Sequence, residues 1–257
     1  GGQKVSELDS LFIQGAYNPL LRDNSAKASC TVTTNVAKEN HGQNHFMIPF
    51  FFGEDWTKAL PLVALQYHEV ELRIKCRDGY TPQGTPKIYG NYIYVDTDER
   101  KYFTETEHEI LFTQTQYQPA TSTDTEMDLS YFNHPVKSIH LISGAAAGQK
   151  WYDEYTFGTS SLYINGTALF ENSSNVYHHN IVPQMHCTDL PDDVLDDLPT
   201  YSWPFCLSMS KAQPSGTLNF SRIDNAKLLV NNVSGGNNLH RVYAVNFNIL
   251  RIKNGMA

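Results

Sequence analysis

Leu162-Tyr-Ile-Asn-Gly-Thr-Ala-Leu-Phe170 is the stretch whose reading decides the fold class. Apolar, aromatic and β-branched residues flank Asn165-Gly166, a pair that supplies the two positive-φ residues of a tight primed hairpin turn. Outward from this hairpin the same texture recurs. In Val70-Glu-Leu-Arg-Ile-Lys75 the apolar residues alternate with charged ones, the period-two signature of a strand with one face in a core. Ile88-Tyr-Gly-Asn-Tyr-Ile-Tyr-Val95 is aromatic and β-branched, again strand-like. Further strands are predicted over 110–117, 136–142, 161–170, 201–210, 216–223, 226–230 and 242–252. Short strands punctuated by turns, with little 3.6-residue periodicity and no 20–50-residue repeat, point to β-sandwiches or jelly rolls.

Between the strands, Ser6 is placed to cap a short helix through 7–12. Residues 26–44 are polar and read as a loop, as does the Gly- and Pro-rich stretch 78–86. Residues 96–109 concentrate charge and break the alternation, so they read as a short helical turn and linker. The chain is accordingly divided into 1–103, a linker at 104–109, and 110–257. Residues 191–198 are predicted as one short acidic helix.

Composition narrows the function. The 257 residues carry 19 Lys plus Arg against 27 Asp plus Glu, a net charge of −8, which argues against a protein that grips a phosphate backbone. Hydrophobic content of 40% is enough for a buried core. No apolar run reaches the ~18 residues of a membrane-spanning helix. Cys30, Cys76, Cys187 and Cys206 are far apart with no C-x-x-C pair, so free buried thiols are expected rather than a zinc ribbon or disulfide framework.

Candidate chemistry is sparse. His178, His179, His186 and Cys187 form the densest cluster of metal-ligating types, but adjacent histidines in a strand face opposite ways. His68-Glu69 resembles half of H-E-x-x-H, yet Leu72 stands where the second histidine belongs. Pro214-Ser215-Gly216 lacks the strand-then-helix frame of a nucleophile elbow. The carboxylate pairs Glu69/Glu71, Asp192/Asp193 and Asp196/Asp197 read as solvated faces, and no phosphate-binding glycine loop is present. No catalytic residue, metal or cofactor is therefore assigned. Sequons occur at Asn165, Asn172, Asn219 and Asn232. The first, second and fourth lie in turn- or loop-like sequence and are the candidate glycosylation sites.

Five segments, taken together, resemble a known family. Phe50-Phe-Phe52 with Ala59-Leu-Pro-Leu-Val-Ala-Leu-Gln-Tyr-His-Glu-Val-Glu-Leu72 is similar to a stretch of the major capsid proteins of nucleocytoplasmic large DNA viruses, nearest to the algal-virus and iridovirus branch. Tyr92-Ile-Tyr-Val-Asp-Thr-Asp-Glu-Arg-Lys-Tyr-Phe103 with His108-Glu-Ile-Leu111 resembles that family's junction between jelly rolls. Phe132-Asn-His-Pro-Val-Lys137, Gln213-Pro-Ser-Gly-Thr-Leu-Asn-Phe-Ser-Arg-Ile-Asp-Asn225 and Tyr243-Ala-Val-Asn-Phe-Asn-Ile-Leu-Arg-Ile252 with Gly255-Met-Ala257 follow in family order.

The resemblance implies an all-β double jelly roll, non-enzymatic and without cofactor. Three copies would form a pseudo-hexagonal capsomer in an icosahedral shell. Its partners would be itself, neighbouring capsomers, and minor capsid and penton proteins, with no direct nucleic acid and an inner viral membrane nearby. Its place would be the virion, after assembly in the host cytoplasm. Gly1-Gly-Gln-Lys4 resembles a mid-domain stretch and Ala257 stops short of the usual terminus, so the chain is expected to be a fragment with an incomplete first jelly roll. Phe50–Phe52 and the face over 60–65 should then be incompletely covered. Loops 149–159 and 231–240 would supply towers and lateral contacts. The alternative is a viral glycan- or receptor-binding β-sandwich module using Trp151, Tyr152 and Tyr155, and a third reading is a hydrolase built on His178–Cys187.

Overall fold

The computed structural model describes residues 4–22, 48–76, 85, 87–120, 125–144, 157–188, 200–233 and 239–257. Nine antiparallel strands form two sheets there. The first joins β1 (His108–Ala120), β9 (Leu239–Ile252), β3 (Pro135–Gly144) and β6 (Thr200–Pro204) in that order, with β7 (Leu218–Asn219) also on β3. The second runs β2 (Glu126–Asp128), β8 (Ala226–Asn231), β4 (Thr159–Ile164), β5 (Thr167–Ser174).

Alternation sets the interior between them. On β8, Ala226, Leu228 and Val230 are buried while Lys227 and Leu229 are half-buried. Together with Leu162 on neighbouring β4, these pack against Val136, Ile139, Leu141, Trp203, Val242 and Ala244 from the facing sheet to form the sandwich core. The β4–β5 hairpin forms where expected, with Asn165 at φ 48° and Gly166 at φ 82°. Asn165 also tethers a neighbouring turn, its Oδ1 accepting from the N–H groups of Asp224 and Asn225 at 3.2 and 3.1 Å.

The outer face of the first sheet is buried as well. Helix α1 (Ser10–Phe12) continues directly into a π-helical stretch (Ile13–Leu21). Leu11, Phe12, Ala16, Leu20 and Leu21 pack there against Ile142, Val182, Tyr243 and Val245. Gly15 is required by this contact, because a Cβ on it would lie 2.6 Å from Ile142 Cγ2. Helix α1 starts three residues later than a Ser6 cap would place it. Asp9 is the cap, accepting from Phe12 N–H at 2.7 Å, and its carboxylate also meets Arg241 and the Tyr243 hydroxyl on β9. A tertiary partner for the capping carboxylate decides the start.

The strands expected over 70–75 and 88–95 are not formed. Val70, Leu72 and Ile74 are 48%, 44% and 53% exposed, and among the described residues no strand pairs with either segment. Apolar alternation marks a strand only if a neighbour completes its ladder and covers its face. Residues 48–67 instead form three single 3₁₀ turns. Coverage there is partial, as expected: Phe51 is buried against Phe112, Phe50 and Phe52 are half-buried, and Leu62 and Val63 stay exposed.

Other boundaries move for local reasons. The strand expected over 201–210 ends at Pro204, just before a last ladder bond in which Phe205 N–H donates to the Lys137 carbonyl at 2.8 Å. The one expected over 216–223 keeps only β7 before Asn219 Oδ1 caps a 3₁₀ turn by accepting from Ser221 N–H at 3.1 Å. The helical turn expected within 96–109 is α2 (Thr97–Glu105), closed by a capping box of Asp96 and Glu99. Two elements carried no clear signal: three-residue β2, and the π-helical stretch Tyr177–Ile181 leading into α3 (Val182–His186). His178 and His179 thus sit on a helical turn, not a strand. The loop predicted over 26–44, that over 78–86 except 85, most of 149–159, positions 234–238 of the loop over 231–240, and the helix over 191–198 fall outside the described residues.

Candidate assembly surfaces

None of the sequence-level chemical candidates converges. Of the clustered residues, His178 is fully buried, its Nδ1–H donating to the Ser202 carbonyl at 3.0 Å and its ring 4.6 Å from that of Trp203. His186 turns elsewhere, with Nδ1 3.2 Å from the Leu207 carbonyl. Among the described residues no three His, Cys, Asp or Glu side chains are grouped to hold a metal. Ser215 Oγ accepts from Ser208 N–H at 3.1 Å, and Gly216 sits at φ 139° where a Cβ would be 2.7 Å from the Phe205 carbonyl oxygen. That loop is a tight structural crossing. Glu69 and Glu71 are exposed on unpaired backbone, whereas Asp192, Asp193, Asp196, Asp197, Trp151, Tyr152 and Tyr155 lie outside the described residues. Cys206 is buried, and burial pushes its thiol pKa up. Cys187 is half-buried and Cys76 exposed, so the expectation of buried thiols fails at Cys76, which lies on the uncovered 70–76 segment. Cys30 is outside the described residues.

Buried polar groups support the sheet instead. His140 lies on β3 with Ser138 Oγ 2.9 Å from Nε2 and Ser202 Oγ 2.8 Å from Nδ1. Burial, helped by the Lys137 ammonium, lowers its pKa to about 3, and burial lowers His178 to about 4. Lys137 occupies the β-bulge of β3, is 4% exposed, and holds its ammonium 5.8 Å from the Phe247 ring centre. Desolvation lowers its pKa.

Among the described residues, exposed apolar side chains gather in three places, besides singly exposed ones such as Trp56, Tyr131 and Leu169. The first comprises segments 62–76 and 87–94, where Tyr67, Tyr89, Tyr92 and Tyr94 are 72–88% exposed and Val70, Leu72, Ile74, Ile88 and Ile93 are exposed as well. Singly exposed apolar residues are ordinary, but a run of this density marks an interaction surface. One contact with the sandwich is at Tyr67. Tyr67 N–H donates to the Gly255 carbonyl at 3.1 Å, and Gly255, at φ 78°, lies so close that a Cβ would be 2.8 Å from the Tyr67 ring. The second is the far end of the β1–β9 ribbon, where Leu111 and Ile249 are paired and exposed beside the ion pair of Glu109 with Arg251. The third is the helical turn over 176–185, with Val176, Ile181 and Met185 outward and Leu207 nearby. Sequence periodicity did not signal the second and third, because their apolar residues alternate with buried ones as in any amphipathic element.

The candidate glycosylation residues are all exposed at positive φ: Asn165 at 48°, Asn172 at 50° and Asn232 at 55°. The Asn165 side chain is committed to the turn described above, while the Asn172 N–H donates to Ser161 Oγ at 2.9 Å.

Comparison with known proteins accounts for this layout. Residues 99–257 match the family model described as large eukaryotic DNA virus major capsid protein, and residues 1–96 match major capsid protein N-terminus. The major capsid protein of Pyramimonas orientalis virus is 32% identical over 234 residues, covering 81% of this chain and 59% of that protein. The major capsid protein of Paramecium bursaria Chlorella virus 1 is 27% identical over 337 aligned positions, covering all of this chain and 76% of that one. The chain thus spans about three-fifths to three-quarters of the length of these relatives. A chain of the PBCV-1 virus capsid quasi-atomic model superposes with a TM-score of 0.64 at 24% identity, over 93% of this chain and 76% of that one. That likeness shows the fold, an all-β double jelly roll, of which the described residues form one two-sheet sandwich. With a family model matching well over half of its length, the chain belongs to the major capsid protein family of large eukaryotic DNA viruses.

Proposed function

We propose that this chain is a shell-building subunit whose role is geometric and not catalytic. A single observation carries the reading: a sandwich buried on both faces of its larger sheet stands with segments 66–76 and 87–94 whose apolar side chains are largely exposed among the described residues. Rigid wall and uncovered flank are what a self-assembling subunit needs. Three copies close by cyclic, heterologous contacts into a pseudo-hexagonal capsomer, and capsomers tile an icosahedral virion shell. Minor capsid and penton proteins contact its rim, an inner viral membrane lies nearby, and assembly takes place in the host cytoplasm. The chain divides at 104–109 into the later part of one jelly roll, 1–103, and a second, 110–257. Asn165, Asn172 and Asn232 are its glycan acceptors. The net charge of −8 supports a shell wall that does not bind the genome directly. The glycan-binding alternative depended on aromatics outside the described residues and gains no support from the described ones.

Native mass spectrometry of the protein purified from its source tests this. Assemblies in threes are expected, and the double substitution Leu72→Asp with Ile74→Asp should reduce them to single copies. Wild-type protein that stays single-copy at every concentration overturns the proposal.

A further inference from the structure

The first sheet ends at β6, and among the described residues no strand pairs with its outer side. The register of β6 with β3 settles which groups face outward. Phe205 N–H donates to the Lys137 carbonyl at 2.8 Å, so the alternate residues Trp203 and Tyr201 also bond toward β3. Thr200, Ser202 and Pro204 therefore present their backbone groups to the side away from β3, where the helical turns over 177–186 pack against the strand. An edge of this kind is a template for a strand from another chain.

At each outward position one backbone group is closed to such a strand. His178 Nδ1 lies 3.0 Å from the Ser202 carbonyl oxygen, and His179 Nδ1 lies 3.0 Å from that of Thr200. A carbonyl can only accept, so each histidine carries its proton on Nδ1. Pro204 has no N–H to offer. The neighbouring rings hold the pair in place: His178 lies tilted at 31° to Trp203 with ring centres 4.6 Å apart and meets Phe170 edge-on at 5.5 Å, while His179 lies 5.6 Å from Tyr201. Two consecutive side chains can reach two alternate carbonyls of one strand because they project from a π-helical turn; from a strand they would diverge.

We propose that His178 and His179 form a lock on the free edge of β6, occupying the carbonyls through which a β-strand of a second copy would otherwise add to the sheet. The lock goes beyond the proposed shell contacts. It blocks a wrong, strand-to-strand association that the apolar surfaces do not control, and it holds whether or not the chain builds a shell.

The test compares the full chain with His178→Ala/His179→Ala and with His178→Asn/His179→Asn. Asparagine places its Nδ2–H donor where the histidine Nδ1–H stands, so the second variant keeps both bonds. Sedimentation velocity across a tenfold concentration range and hydrogen exchange at 200–204 are the readouts. The alanine pair is expected to gain species of at least twice the wild-type mass, with slowed exchange at Ser202 in those species. The asparagine pair should match wild type in both. An alanine pair with wild-type mass and exchange overturns the lock, as does association by both variants alike. If the alanine pair does not fold, His179→Ala alone decides: faster exchange over 200–204 or new association supports the lock, and wild-type behaviour overturns it.

Discussion

Val70, Leu72 and Ile74 alternate with charged neighbours at least as regularly as Val136, Ile139 and Leu141 line one face of β3. The first three are about half exposed and the second three are wholly buried. The difference lies in what surrounds them. β3 has β9 on one side, β6 and β7 on the other, the second sheet beneath and the α1 segment nearby. Segment 70–75 has none of these among the described residues. Alternation therefore specifies which face a strand would bury, while neighbours decide whether it becomes a strand.

The hardest test of that contrast is a pair of truncations in the isolated chain. Ile139→Ala is expected to cost about 2–5 kcal/mol in urea unfolding, because it opens a cavity in the sandwich core. Leu72→Ala should stay within about 0.5 kcal/mol while weakening assembly. Similar costs at both positions would erase the distinction between the regions.

Asp9→Ala should come next, at about 2 kcal/mol, since it removes a helix cap and the acceptor of Arg241 and Tyr243 together. Hydrogen exchange should speed over 10–21 and leave β4 and β5 unchanged. Uniform acceleration would mean that the α1 segment is part of the sandwich's cooperative unit and not a cover upon it.

Acid should act on the sandwich. Burial holds His140 near a pKa of about 3 and His178 near about 4, below the usual 6.5 of the unfolded chain. From pH 6.5 downward the unfolded state binds protons that the folded state refuses, so stability falls as pH drops and this contribution levels off near pH 3–4. Replacing both residues with Gln should flatten the slope of the melting temperature between pH 6 and 4. An unchanged slope would place the acid sensitivity elsewhere.

Gly255→Ala probes the joint between the regions. The positive φ alone costs about 1–2 kcal/mol, and the Tyr67 ring must also move. Exchange at the Tyr67 amide should rise while the β3–β9 ladder holds. The smallest effect is expected at the exposed pair of Glu71 and Arg73, where Glu71→Gln should leave unfolding unchanged.

Much of the second sandwich was legible from residue order because its signals are local. Asn165-Gly166 dictates its own turn, Ala226, Leu228 and Val230 dictate a buried face, and Asp96 with Glu99 writes a helix start. The candidate surfaces were less so. The adjacent histidines looked like divergent strand residues, because a π-helical turn leaves no clear mark in composition. The buried Lys137 looked like any charged residue beside a Pro-Val pair; its bulge exists only in the pairing of β3 with β9.

Sequence by itself determined the all-β class, the hairpin, the inward faces of β3 and β8, and, through motifs in order, the family. Tertiary structure alone decided that 70–75 and 88–95 stay unpaired among the described residues, that Asp9 displaces Ser6 as the cap, and that His178 and His179 meet the edge of β6. The physical reason is range. Turn dihedrals and alternation act within a few residues, whereas strand pairing, burial and edge protection depend on groups brought together across more than a hundred positions.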